Sequence, residues 1–180
     1  MSVPSDEELM LAVAGGDRTA FGQLVTRHQR SAWNAAYRFL GNATDAEDVA
    51  QEAFLKILDS ADRYQPTASF RTYLYRIVAH SCFDFLRRKR HRRYRQLPDI
   101  TDRAQAPKDT SIASERAMLV RQAIDALPPS QKMAVILRYY EDLSYREIAA
   151  AMSTTIKGVE RLLARARASL EGQLGEFLEK

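Results

Sequence analysis

The chain has 180 residues, 46% of them apolar, and 27 basic against 23 acidic side chains give a formal charge of +4 and a pI near 9.3. That suffices for one average domain or two small ones, with a modest positive excess that suits a polyanionic partner. The single cysteine, Cys82, excludes an internal disulfide; no Cys/His spacing suggests a zinc site, and no leader or membrane-length apolar run is present, so the expectation is a cytoplasmic protein without membrane insertion.

Glycine and proline are scarce and fall at breaks, while apolar residues between the breaks recur every three or four positions. This predicts an all-α protein. Ser5 and Glu8 form a capping box for a first helix that stops at Gly15-Gly16. A second starts at Asp17, carries Phe21, Leu24, Val25, Ala32, Ala36 and Phe39 on one face, and ends at Gly41. Thr44 with Glu47 reads as the cap of a third, whose buried side is Val49, Ala50, Ala53, Phe54, Ile57 and Leu58. A fourth runs from about Ser69 into the low nineties over Phe70, Tyr73, Leu74, Ile77, Val78 and Phe85. These helices make a first domain, residues 1–95.

Residues 96–113 hold three Asp, two Pro and few large apolar side chains, too little to offset the entropy of ordering. They are read as a flexible linker. A second domain, 114–180, follows with helices near 114–126, 130–140, 144–152 and 155–171, broken at Pro128-Pro129, Glu141-Asp142 and Ser153-Thr154.

Three surfaces could carry function. Between Tyr145 and Leu162, the spacing of Ile148, Ala149, Met152, Val159 and Leu162 packs two helices across a tight turn, a helix-turn-helix pattern with Ser144 and Glu147 capping the first and Thr154 or Thr155 the second. Thr155, Lys157, Gly158, Glu160, Arg161 and Arg165 then face outward, able to meet base edges and phosphates; a plain hairpin with a solvated basic face is the alternative. Ser153 stands in the turn where glycine is usual.

On the fourth helix Arg71, Tyr75, Arg76, His80, Phe83 and Arg87 interleave cations with aromatics, and Arg88 continues a basic run to Arg93. Arginine neutralises phosphate and rings stack on unpaired bases, so the face suits partly melted DNA. A solvated helix end would account for the charges but not the rings. On the third helix Asp45, Asp48, Gln51, Glu52 and Leu55 share an exposed side. A leucine among acids fits a protein-binding face with one apolar anchor and a charged rim, and a merely solvated face is the other reading. His28, His80 and His91 lack a sequence neighbour that would make a triad, and no phosphate loop occurs, so neither a catalytic residue, a metal site nor a cofactor is expected.

The segments Asp45-Ala-Glu-Asp-Val-Ala-Gln-Glu-Ala-Phe54, Phe70-Arg-Thr-Tyr-Leu-Tyr-Arg76, Asp84-Phe-Leu-Arg-Arg88, Leu127-Pro-Pro and Leu143-Ser-Tyr-Arg-Glu-Ile-Ala149, in this order over nearly the whole chain, resemble the extracytoplasmic-function sigma factors of bacterial RNA polymerase. The resemblance implies that the first domain is region 2, with Asp48, Gln51, Glu52 and Leu55 on the beta-prime clamp helices of core RNA polymerase. The loop 60–69 and the fourth helix would melt and hold the minus-ten element. The second domain would be region 4, reading minus-thirty-five duplex and touching the beta flap, with the linker threading toward the active-site cleft and an anti-sigma factor as a further partner. The chain departs from the family pattern at Tyr73, where tryptophan is usual, and at His80, where asparagine is. A self-contained helix-turn-helix regulator and a protein-binding helical adaptor are the competing readings.

Overall fold

The computed structural model describes residues 3–95 and 112–178, and among these every regular element is helical. Helix α1, Asp6–Ala14, opens on the expected capping box: Ser5 Oγ accepts the Glu8 N–H and the Glu8 carboxylate accepts the Ser5 N–H at 2.7 Å. Helix α2, Arg18–Leu40, is capped by Asp17, whose carboxylate accepts the Thr19 and Ala20 N–H groups. It ends on Gly41 at φ 74°, a left-handed position that glycine occupies without strain.

Helix α3, Ala43–Asp59, begins earlier than its expected cap. Asn42, not Thr44, is the N-cap: its side-chain oxygen accepts the Asp45 N–H at 2.9 Å, and Thr44 lies inside the helix. Both residue types cap well, so composition could not choose between them. A single 3-10 turn, Ala61–Arg63, precedes α4, Phe70–Arg95. These elements pack α2, α3 and α4 on one another around Leu24, Phe39, Val49, Phe54, Ile57, Phe70, Leu74 and Val78, all buried, each worth about 1.5–3 kcal/mol of burial. Ala32, Ala35, Ala36, Ala46 and Ala53 are also fully buried, which lets the helix backbones approach closely. Leu58 departs from the expected stripe and is exposed.

The second unit has α5, Ile112–Asp125, then α6, Pro129–Val135, which widens into a π turn over Ile136–Tyr140, then α7, Tyr145–Ala151, and α8, Ile156–Leu178. Its core is Met133, Ile136, Leu137, Leu143, Ile148, Val159, Leu163 and Ala166. The expected linker, 96–113, lies outside the described residues except for its last two, which begin α5.

The two units are packed on each other, with α7 against α4 and the π turn against α2, and their buried apolar residues form one continuous cluster. Lys132, buried on α6, reaches across to donate to the Phe39 carbonyl at 2.8 Å while pairing with Asp125 at 2.7 Å. The composition of the linker holds no sign of this contact.

Candidate nucleic-acid interface

Helix α8 starts where the Thr155 hydroxyl accepts the Gly158 N–H at 3.0 Å, so of the two threonines it is Thr155 that caps. Ser153 just before it sits at φ 52°, the left-handed conformation that a turn between these helices needs and that serine adopts at a cost. Ile148, Ala149 and Val159 are buried between α7 and α8 as their spacing required. The core face of α8 then continues through Leu163 and Ala166, with Leu162 only half-buried. Lys157, Glu160, Arg161 and Arg165 are exposed on the other side. Gly158 turns toward the Thr154 hydroxyl, which an added Cβ would meet at 2.5 Å. This is the geometry of a recognition helix with a cationic outer face. At its other end α7 is held by the capping box of Ser144 and Glu147, which bond through the Ser144 N–H at 2.8 Å and the Glu147 N–H at 3.3 Å. The Ser144 bonds hold the Glu147 carboxyl below its ordinary pKa.

The seven residues expected on the melted-DNA face of α4 divide into two groups. Arg76, Arg87 and Arg88 are exposed, Arg87 beside Asp84 and Arg88 bonded to Glu52 at 2.8 Å. Tyr75, His80 and Phe83 are instead at least partly buried, and Arg71, itself exposed, reaches the second unit as they do. Tyr75 is a correction to the expected open face: only 1% exposed, it donates its hydroxyl to the Glu141 carboxylate. Burial and that carboxylate push its phenol pKa well up, so it remains the donor. Arg71 lies over the Tyr75 ring and donates to the Glu141 carbonyl. His80 is half-buried, with Nε2 3.3 Å from Ser153 Oγ; burial and then the Arg76 charge lower its pKa. Phe83 stacks edge-on against Phe39 at 5.4 Å. Helical spacing put these four on one face, but their partners lie far along the chain: Glu141 and Ser153 are 66 to 73 positions later, and Phe39 is 44 positions before Phe83.

On α3, Leu55 is 59% exposed, and Asp48 and Gln51 are exposed beside it. Asp45 and Glu52 are partly covered because they hold the basic end of α4: Lys89 pairs with Asp45 at 2.9 Å, and Glu52 takes Arg88 and, at 2.7 Å, Lys56. Burial acts to raise the Glu52 pKa, but the hydrogen bonds from Lys56 and Arg88 outweigh it and the carboxyl lies below its ordinary value. Beside Leu55 an apolar groove runs between α2 and α3, lined by Phe21, Val25, Trp33, Ala50 and Phe54.

His28, read as having no carboxylate partner, has one brought by the fold: its Nε2 lies 2.7 Å from Asp6 Oδ2, and Arg27 takes the other oxygen at 2.8 Å. Its ring packs on Phe70 at 5.3 Å, so the pair fastens α1 and α4 to α2. Buried Cys82 has its thiol pKa pushed up to about 12 by desolvation, which keeps it an unreactive packing residue. No helix among the described residues is long and apolar enough to cross a membrane.

Comparison with known proteins places both units in one family. The family description "Sigma-70 region 2" matches residues 24–92 and "Sigma-70, region 4" matches residues 117–170. The ECF RNA polymerase sigma factor SigE of Mycolicibacterium smegmatis is 35% identical over 96% of this chain and 70% of its own length. SigW of Bacillus subtilis is 29% identical over 92% and 94%. Among solved structures, that of CnrH in complex with the cytosolic domain of CnrY superposes with a TM-score of 0.73 at 28% identity, covering 96% of this chain and 99% of that one.

Proposed function

Since the chain belongs to the extracytoplasmic-function sigma factors of the sigma-70 family, which bind core RNA polymerase and direct promoter-specific initiation, we propose how that work is divided over its surface. Residues 1–95 dock on polymerase and handle the minus-ten element, 96–113 link, and 114–180 read the minus-thirty-five element. The observation that carries this division is Leu55, an apolar side chain 59% exposed within an acidic rim. Such a face costs free energy in water unless a partner covers it, and desolvated apolar anchors with charged surrounds are what protein interfaces use. Asp45, Asp48, Gln51, Glu52 and Leu55 make the contact with the beta-prime clamp helices.

The second unit supports the other half. Lys157, Arg161 and Arg165, with Thr155, Gly158 and Glu160, form the major-groove face of α8, and the apolar groove of Val120, Ile124, Tyr139, Leu163 and Leu170 suits the beta flap. On α4, the exposed Arg71, Arg76, Arg87 and Arg88 with the half-buried His80 and Phe83 meet the minus-ten strand, while Tyr75, buried against Glu141, does not. The chain supplies recognition and no catalytic chemistry of its own, works in the cytoplasm, and is held in check by an anti-sigma factor. Photo-crosslinkers placed singly at 55 and 161 in a promoter-bound holoenzyme test the division: position 55 should capture the beta-prime subunit and position 161 upstream duplex. Capture of DNA from position 55 would refute it.

A further inference from the structure

Helix α8 carries two rows of exposed side chains, each stepping four residues at a time. One row is Lys157, Arg161 and Arg165; the other is Ile156, Glu160 and Ala164. Residues four apart on a helix lie one above the next, so these are neighbouring stripes that run side by side from the capped start of the helix. The first stripe is wholly cationic. The second holds no cation, and its one charge is negative. From Ile156 to Leu170 the sequence has four basic residues and a single acid, Glu160.

Glu160 is not held by those basic neighbours. Asp6, Asp45, Glu52, Asp125 and Glu141 each pair with a cation, whereas no ion pair among the described residues includes Glu160. Lys157 precedes it by three places, the less favourable order for a pair on a helix, and Arg161 follows it directly and so points to another side. A carboxylate left free on a helix that approaches DNA is repelled by phosphate. Base edges are different. In the major groove cytosine presents its N4 amino group as a donor, while guanine presents acceptors and thymine an acceptor and a methyl group. Adenine offers a donor, but its N7 acceptor stands beside it and opposes the second oxygen of a carboxylate, which accepts and cannot donate. Cytosine is thus the matching base. Ile156, 47% exposed at the first position of the helix, and the small Ala164 flank Glu160 with apolar surface, which fits base edges better than the charged backbone.

We infer that Glu160 is a specificity-determining residue: its carboxylate accepts the N4 amino group of one cytosine in the minus-thirty-five element and disfavours the other three bases there. This rests on the assignment of the outer face of α8 to the major groove of that element, and goes beyond it by naming the base. The cationic stripe supplies affinity for the backbone and, through Arg161, a further base contact. Glu160 supplies selection, because it lowers affinity for every duplex that lacks the cytosine.

The test is transcription by core polymerase carrying the full chain on a promoter library randomised across the minus-thirty-five element. Wild type, Glu160→Ala and Glu160→Gln are read in parallel, with circular dichroism to confirm that each is folded. Wild type should favour cytosine at one position by about tenfold over each other base. Glu160→Ala should lose that preference and keep those at the other positions. Glu160→Gln should move it to adenine, whose N6 and N7 match the donor and acceptor of an amide. Unaltered preference at every position in both variants would overturn the inference. So would an equal gain of output on all library members, which would make Glu160 a repulsive charge and nothing more. Arg161→Ala in the same library separates this failure from that of the wider assignment. If it relaxes base preference while the Glu160 variants do not, α8 reads DNA without Glu160; if none of the three changes any preference, the assignment of α8 to the element falls as well.

Discussion

The Glu7 carboxylate accepts the backbone N–H of Phe70 at 2.7 Å, so a side chain on the first helix caps the start of the fourth across 63 residues of sequence. Helix α4 has its first N–H groups unsatisfied like any helix, and here a distant carboxylate meets one of them. Glu7→Ala should cost about 1 kcal/mol, the ordinary worth of a lost cap, seen as a lower midpoint in urea unfolding at unchanged slope. Hydrogen exchange should locate the loss at Phe70 and Arg71. Full protection of those amides in the variant would mean the bond contributes nothing.

Leu55→Asp should weaken binding to core polymerase by at least about tenfold, the equivalent of roughly 1.4 kcal/mol from one anchor, while circular dichroism stays that of the wild type. Leu55 is a cleaner probe than Glu52. Glu52→Arg also breaks the bonds to Lys56 and Arg88 and sets a cation among cations, so part of its effect would be internal. Unchanged affinity in folded Leu55→Asp would remove α3 from the interface.

Arg161 and Arg165 should be separable by the kind of contact each makes. A side chain bonded to a base edge discriminates between bases by about 1–3 kcal/mol, whereas one on phosphate lowers affinity for every sequence and flattens the salt dependence by about one unit when removed. Arg161→Ala, nearer the capped start of α8, should relax preference within the minus-thirty-five element in a promoter library. Arg165→Ala should weaken all duplexes alike. Identical base preference with and without the Arg161 side chain would leave it a phosphate contact.

The pH dependence of the helix-turn-helix follows from Glu147. Its folded pKa lies below the ordinary value of 4.5, held there by the Ser144 hydroxyl and N–H, so its contribution to stability is complete above about pH 4.5 and is lost as the pH falls through the folded value. The protection of amides at the start of α7 should decline over that acid range in the wild type. Glu147→Gln, which keeps the capping shape without the charge, should show a flatter profile there. An equally steep decline in Glu147→Gln would assign the acid sensitivity to other groups.

Much of this was legible in the sequence because it is local. The capping box at Ser5, the stop at Gly41, the buried stripe of α2 and the turn between α7 and α8 each follow from residues within a few positions of one another. The exposed Leu55 among acids was equally readable, since helical spacing alone places it. What local spacing could not supply was every feature made by chain segments far apart: the Glu7 cap on Phe70, Asp6 on His28, Lys132 on the Phe39 carbonyl, and above all Glu141 on Tyr75. A tyrosine at an outward helical position reads as a stacking platform until the element that covers it is known. The choice of Asn42 over Thr44 as a cap is a smaller case, where two adequate residues competed and helix α3 took the earlier one.

As a sigma factor, this chain confers promoter choice on core RNA polymerase. The most direct test is transcription in vitro on genomic DNA of the source organism, with purified core enzyme alone and with the chain added, followed by sequencing of transcript 5′ ends. A discrete set of start sites should appear only with the chain and share two upstream elements spaced as minus-ten and minus-thirty-five. A pattern of start sites identical with and without a folded chain would contradict it.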